Sequence, residues 1–150
     1  MTVEKLNRQR VLHLLDTIAA DDLEAALSCC TDDIDFLTHA PIDVLPHMGP
    51  CHGKQELREF WRTVQARYSE TRYQVPQIVA EGDTVAAYLR VFFKKRSNER
   101  IIQVDMAVFY TFRGGQVAQI REIIDSYDLV QQVLEREIGP LITGAGADGV

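Results

Sequence analysis

The chain has 150 residues, 46% of them apolar, and its 22 Asp and Glu against 16 Lys and Arg give a formal charge of -6. A chain of that size buries roughly 70% of the surface its unfolded form exposes, so one core forms without disulfides or a structural metal, and disordered and collagen-like classes are excluded by composition. The acidic balance argues against a sequence-independent nucleic-acid binder, which needs a basic face, and no apolar run approaches the roughly 18 residues of a membrane span.

Helical spacing governs the first 70 residues. Val11, Leu14, Leu15 and Ile18 form one apolar stripe, Leu23, Ala26, Leu27 and Cys30 a second, and Leu57, Phe60, Trp61, Val64 and Tyr68 a third. Residues 11–20 follow Lys5, Arg8 and Arg10, but His13 and Asp16 interrupt them and their periodicity is helical, so an amphipathic helix is the better reading than a signal peptide. Asp21 with Glu24 is expected to cap the second helix, and Gly53 with Glu56 to open the third. Between them residues 38–52, with Pro41, Pro46, Gly49 and Pro50, read as an irregular stretch, a length of loop usually tied to function.

From Arg72 onward the period is that of strands. Segments 73–80, 84–94, 100–112 and 116–127 are rich in β-branched and aromatic residues, with Gly82, Asn98 and Gly114-Gly115 in the turns between them. Short turns predict antiparallel neighbours. A last helix, with Asp128 expected as its cap and Leu129, Val130, Val133 and Leu134 as its apolar side, stops at Gly139-Pro140. The predicted organisation is one domain over residues 1–140 and a flexible tail over 141–150. Helices followed by strands give an α+β class, with the helices on one face of a curved antiparallel sheet.

Alternation assigns the faces. Ala87, Leu89, Val91 and Phe93 point one way, as do Ile102, Val104, Met106, Val108, Tyr110 and Phe112, and on the last strand Ala118, Ile120, Glu122 and Ile124. Glu122 is the one charge in that set. The opposite faces mix polar residues with Ala107, Phe109 and Ile123, as suits solvent or a subunit contact.

Several local signals agree with a known family. Ala20-Asp21-Asp22-Leu23, Cys30-Thr31-Asp32-Asp33-Ile34, Gly49-Pro50-Cys51-His52-Gly53-Lys54, and Arg113-Gly114-Gly115-Gln116-Val117 followed by Arg121-Glu122-Ile123-Ile124-Asp125 stand in the order and spacing of the nuclear transport factor 2-like superfamily. Over about residues 5–137 the chain resembles that superfamily, and more narrowly its SnoaL-like branch. The resemblance implies a cystatin-like fold, a cone-shaped curved antiparallel sheet on three N-terminal helices with a short C-terminal helix. It also implies a small-molecule site inside the cone and a homodimer through the outer sheet face. The chemistry does not transfer whole. Where ketosteroid isomerases place an Asp base and a Tyr and protonated Asp for the oxyanion, the matching positions hold Thr38, Leu14 and Val108. Where limonene epoxide hydrolase-like members place an Arg and two Asp, they hold Leu89, Val91 and Glu122.

Glu122 is the leading candidate for chemistry, because a carboxylate among apolar side chains is desolvated, which raises its pKa toward neutrality, where a general base works best. His39, leaving the first strand beside Thr38, is the second catalytic candidate. The expected ligand-binding wall comprises Thr38, Trp61, Leu89, Val91, Val104, Met106, Val108, Tyr110 and Ile120. His47 and His52 flank the Cys51 segment with His39 further back, but their spacings match no compact metal motif, and exposed loop histidines are the default. Asp16 reads as part of a solvated helix face. No metal or organic cofactor is expected.

Between Arg10 and Lys54 there is no Lys or Arg, while Lys94, Lys95, Arg96 and Arg100 crowd one hairpin, which reads as a solvated edge that resists strand pairing. Cys29, Cys30 and Cys51 are odd in number and two are adjacent, which suits neither a disulfide framework nor a metal pair and points to a reducing, cytoplasmic setting. The expected partner is a small hydrophobic organic molecule, with no nucleic acid and no membrane. Two functions stay open: a cofactor-independent isomerase, cyclase or hydrolase with a carboxylate base, and a non-catalytic ligand-binding or interaction module of the same fold.

Overall fold

Thr2 starts the first helix, α1 (Val3–Ala19), by accepting a 3.1 Å hydrogen bond from the Lys5 amide. The computed structural model describes residues 1–144. Val11, Leu14 and Leu15 of the predicted stripe are buried. The cap of α2 (Leu23–Ser28) is Asp22, whose carboxylate accepts from the Ala25 amide at 3.1 Å, and not Asp21, which turns the chain at φ 59°. Strand β1 (Cys30–His39) follows, then the loop 40–49, the short strand β2 (Pro50–His52) and α3 (Gly53–Arg67).

Four long strands come next: β3 (Tyr68–Glu81), β4 (Thr84–Lys95), β5 (Ile101–Arg113) and β6 (Gln116–Ile124). β3 begins directly at the end of α3, ahead of the expected start, because Ser69-Glu70-Thr71-Arg72 is polar and lacks strand alternation yet lies on the sheet edge, where one side meets water. β6 ends before the expected 127 because Asp125, rather than Asp128, caps α4 (Ser126–Leu134), accepting from the Asp128 amide at 3.1 Å. A short α5 (Gly139–Thr143) takes up residues 141–143 of the expected tail; residues 145–150 lie outside the described residues.

The strands form one curved, unclosed sheet in the order β2-β1-β6-β5-β4-β3. The fold is the α+β architecture expected, with one departure: β1 pairs with β6 in parallel. The turns fix only the β3 to β6 meander, and its last strand returns in the direction of β1. A second irregularity lies in β6. Thr111 pairs with Gln119 but Phe112 with Val117, so Ala118 is the extra residue of a bulge and Val117, 1% exposed, joins the buried face.

Helices α1 and α3 cover the concave face, α1 over β3 and β4 and α3 over β1, while α4 closes over β5. Phe60 of α3 stacks obliquely on Phe36 of β1, ring centroids 4.9 Å apart. The basic hairpin between β4 and β5 is more than a solvated edge. Lys95 Nζ donates to the carbonyls of Gln132 (3.2 Å) and Val133 (3.1 Å) and to Glu135 Oε1 (2.9 Å), and Arg100 pairs with the same carboxylate, so the hairpin ties down the end of α4. Arg96 Nε donates to the Gln65 carbonyl at 2.9 Å, capping α3 in the same way. No described helix is long and apolar enough to cross a membrane.

Candidate functional site

Between the concave sheet face and α1, α3, α4 and the loop 40–49 lies a cavity of about 100 Å³. Its helical wall is Leu14, Leu15, Ile18, Phe60, Trp61, Val64, Leu129 and Val133. The sheet contributes Tyr68, Thr71, Tyr73, Leu89, Val91, Phe93, Val104, Met106, Tyr110, Ile120, Glu122 and Ile124, with Phe36 from β1. Leu45, His47 and Met48 close it from the loop. Strand parity accounts for the sheet residues, since alternate side chains of one strand share a face.

Of the residues expected to bind ligand, Trp61, Leu89, Val91, Val104, Met106, Tyr110 and Ile120 line this cavity together with Glu122. Thr38 and Val108 stand behind the lining. Val108 is fully buried between its strand neighbours Ala87 and Glu122. Thr38 is the cross-strand neighbour of Glu122, and its hydroxyl donates to Glu122 Oε1 at 2.6 Å. His39 is elsewhere: one residue on, it pairs with Ile123 on the outer face and is exposed, so it does not meet Glu122 in the cavity. The reason is the same parity that turns Thr38 inward.

Burial pushes the Glu122 carboxyl up to about 7, against the opposing pull of the Thr38 hydrogen bond. Its surface is not fully covered by protein because it faces the cavity, and among the described residues Oε2 accepts no hydrogen bond. Burial, with Glu122 nearby, also holds the Tyr73 and Tyr110 phenols far above the usual phenol range. Both are therefore neutral O–H donors at any ordinary pH, and among the described residues neither hydroxyl has a protein partner.

Three further expectations concern the histidines and cysteines. His47 is not a solvent-facing loop histidine: it lines the cavity, its Nδ1 is buried without a partner among the described residues, and burial lowers its pKa, with Arg67 adding to the effect. His52 lies outside, its Nδ1 3.2 Å from Asp35 Oδ1. Cys51 is buried and its thiol is pushed up to about 11 by burial and then by Glu56, Glu122 and Glu59, the opposite of an activated nucleophile. Among the described residues no three His, Cys, Asp or Glu side chains gather as a metal site.

A family model described as the SnoaL-like domain matches residues 11–120. The chain belongs to the SnoaL-like family. Solved structures agree. A protein named as a candidate isomerase from Rhodopseudomonas palustris superposes with a TM-score of 0.77 at 26% identity, over 90% of this chain and 100% of that one. A candidate SnoaL-like polyketide cyclase from Jannaschia sp. CCS1 gives 0.74 at 16% identity over 87% and 93%, and an LEH-like epoxide hydrolase from M. tuberculosis gives 0.74 at 15% over 95% and 99%. The last two likenesses are of fold alone. No curated protein matches by sequence.

Within this SnoaL-like domain the residues missed by sequence reasoning are Tyr73 and His47. Tyr73 was within reach, since Tyr73 and Val75 alternate inward at the start of the predicted strand 73–80. His47 was not, because a loop without period gives no direction to its side chains.

Proposed function

We propose that this SnoaL-like domain binds a small, mostly hydrophobic organic molecule in the cavity and moves a proton on it with Glu122, as an isomerase, cyclase or hydrolase. The carrying observation is that, among the described residues, a single carboxylate stands in an otherwise largely apolar cavity, one oxygen bonded by Thr38 and the other without a partner, with a pKa of about 7. A base of that pKa is half ionised at neutral pH and can take a proton and return it. For a carbonyl compound, Oε2 removes a proton from the carbon next to the carbonyl, and the C–H electron pair moves toward the carbonyl oxygen. Tyr73 or Tyr110 donates a hydrogen bond to that oxygen, and, where a C=C bond adjoins the deprotonated carbon, Glu122 returns the proton to the far carbon of that bond as the double bond shifts into conjugation with the re-formed carbonyl. Side chains carry every step, so the reading needs neither metal nor organic cofactor. The named isomerase among the similar structures, 26% identical to this chain, supports the class of chemistry.

The test is a thermal-shift screen of terpenoid, steroid and polyketide-like ketones, followed by NMR of deuterium uptake next to the carbonyl of each binder in D2O. Glu122→Gln is expected to abolish uptake while sparing binding; undiminished uptake refutes the assignment. The second reading is a ligand-binding or interaction module without catalysis, favoured by the apolar Leu14 and Val108 at the positions where ketosteroid isomerase-like members hold the oxyanion. Binding without deuterium uptake in the native protein selects it.

The same reading includes a homodimer through the outer sheet face. Tyr88, Ala107 and Ile123 lie in one cross-strand row there, with Phe109 beside them, and Tyr88, Phe109 and Ile123 are exposed apolar groups. Sedimentation of native protein against Phe109→Asp reports it. A reducing, cytoplasmic setting is supported by the free Cys29, Cys30 and Cys51.

A further inference from the structure

The loop 40–49 is folded in a defined way. The Val44 and Leu45 amides donate to the Pro41 carbonyl at 3.0 and 2.8 Å, and the Met48 amide donates to the Leu45 carbonyl at 3.0 Å, so two turns follow one another. Leu45, 2% exposed, anchors the first. Gly49 ends the second at φ +130°, and a Cβ there would stand 3.3 Å from Ile42 Cγ2. His47 is therefore aimed by backbone and by Leu45, not by a hydrogen bond of its own.

Its Nδ1 is buried on the wall of the cavity and has no partner among the described residues. A buried polar nitrogen without a partner is a rarity that calls for an explanation, because the lost hydration is not replaced. His47 does not serve Glu122. The two make no hydrogen bond, and the charge that acts on His47 is Arg67, at the junction of α3 and β3, whereas Glu122 is tied to Thr38 on the β1 side. Because burial keeps the imidazole neutral, it offers one donor and one acceptor rather than a charge, which suits a hydroxyl or carbonyl and not a carboxylate or phosphate.

We infer that His47 Nδ1 is a second polar recognition point of the cavity, and that the ligand carries two oxygen functions on one apolar body, the first at Glu122 and the phenols and the second, a hydroxyl or carbonyl, on His47. This rests on the reading of the cavity as a ligand site and narrows the class of molecule it takes to a bifunctional one.

The experiment compares two probes with the same carbon frame, 2-naphthol and 2,6-dihydroxynaphthalene, by calorimetry on the native chain, His47→Phe and His47→Gln, each checked for an unchanged thermal transition. In the native chain the diol is expected to bind about fivefold more tightly or better, as one neutral hydrogen bond provides. That ratio falls to near one in His47→Phe, which keeps the ring shape, and is partly restored in His47→Gln. With 15N-histidine labelling, the diol shifts the Nδ1 resonance of His47. A ratio unchanged in His47→Phe, or an unmoved Nδ1 resonance in the diol complex, overturns the assignment of His47 while leaving the cavity as a ligand site. Failure of both probes to bind the native chain overturns the cavity reading, and the inference with it.

Discussion

Glu122→Gln is the perturbation whose effect on stability follows most directly from the geometry. Gln keeps the length of the side chain and an oxygen for the Thr38 hydroxyl, and removes only the charge. In the native chain the carboxyl holds its proton up to about 7, against an ordinary value of 4.5 in the unfolded chain. Folded protein therefore binds more protons than unfolded protein between those two pH values, and stability falls as pH rises through them. The contribution is intact below 4.5 and is lost above 7. At 1.36 kcal/mol for each pH unit the loss is about 3 kcal/mol, a ceiling because water admitted to the cavity restores some hydration of Oε2. The neutral variant escapes this loss. It is expected to match the native chain near pH 4 and to exceed it by up to about 3 kcal/mol near pH 8, roughly 6–12 °C in melting temperature for a domain of this size. Asp33, Asp35, Asp105, Glu24 and Glu135, all held below the usual carboxylate range by cations or hydrogen bonds, lose stability on acidification, but equally in both proteins, so they cancel in the difference. Urea unfolding of the two proteins at several pH values measures it. A difference that stays constant with pH, or a Gln variant less stable at pH 8, refutes the claim that Glu122 is ionised at a desolvated site.

Three other outcomes are expected. Thr38→Val deletes the donor 2.6 Å from Oε1 and raises the Glu122 midpoint by about one to two pH units; 13C NMR of the Glu122 carboxyl follows it, and a midpoint that stays or falls contradicts the bond. Lys95→Met keeps the apolar stem but removes the donor to Gln132, Val133 and Glu135, so amides of α4 exchange faster and stability falls by about 1–2 kcal/mol; unchanged protection there rejects the clamp. Leu57→Ala, at a fully buried position of α3, costs about 2–5 kcal/mol in chemical unfolding.

Strand parity made much of the site legible. Once β4 and β5 are recognised, Leu89, Val91, Val104, Met106 and Tyr110 must share one face, and Glu122 stands out because it breaks an apolar set on β6. Parity fails where an element ends. Thr38 and His39 are adjacent, and only the pairing of Thr38 with Glu122 and of His39 with Ile123 decides which turns inward. That pairing is parallel and joins strands separated by most of the chain, so no local turn announces it. His47 belongs to a loop whose turns depend on Leu45 and Gly49, and Lys95 looks like any edge lysine until α4 folds back beside it. Thr38, His39 and Lys95 share one property: their direction is set by a contact distant in the chain.

The strand pair β1 and β6 contains its own control for Glu122. On the outer side of the pair Asp35 accepts from Arg121 at 2.7 Å and has His52 at 3.2 Å, and these partners hold its carboxyl below the usual range. On the inner side, a few residues along, Glu122 is given a hydroxyl and no cation, and its carboxyl is pushed up to about 7. A carboxylate kept for stability is best served by the first arrangement, since a buried charge without a cation is costly. The second leaves a group that gains and loses its proton near neutrality, with two phenols held neutral by burial on the wall of the same cavity. Folding is opposed by that arrangement above pH 7, which accords with the acid–base role proposed for Glu122.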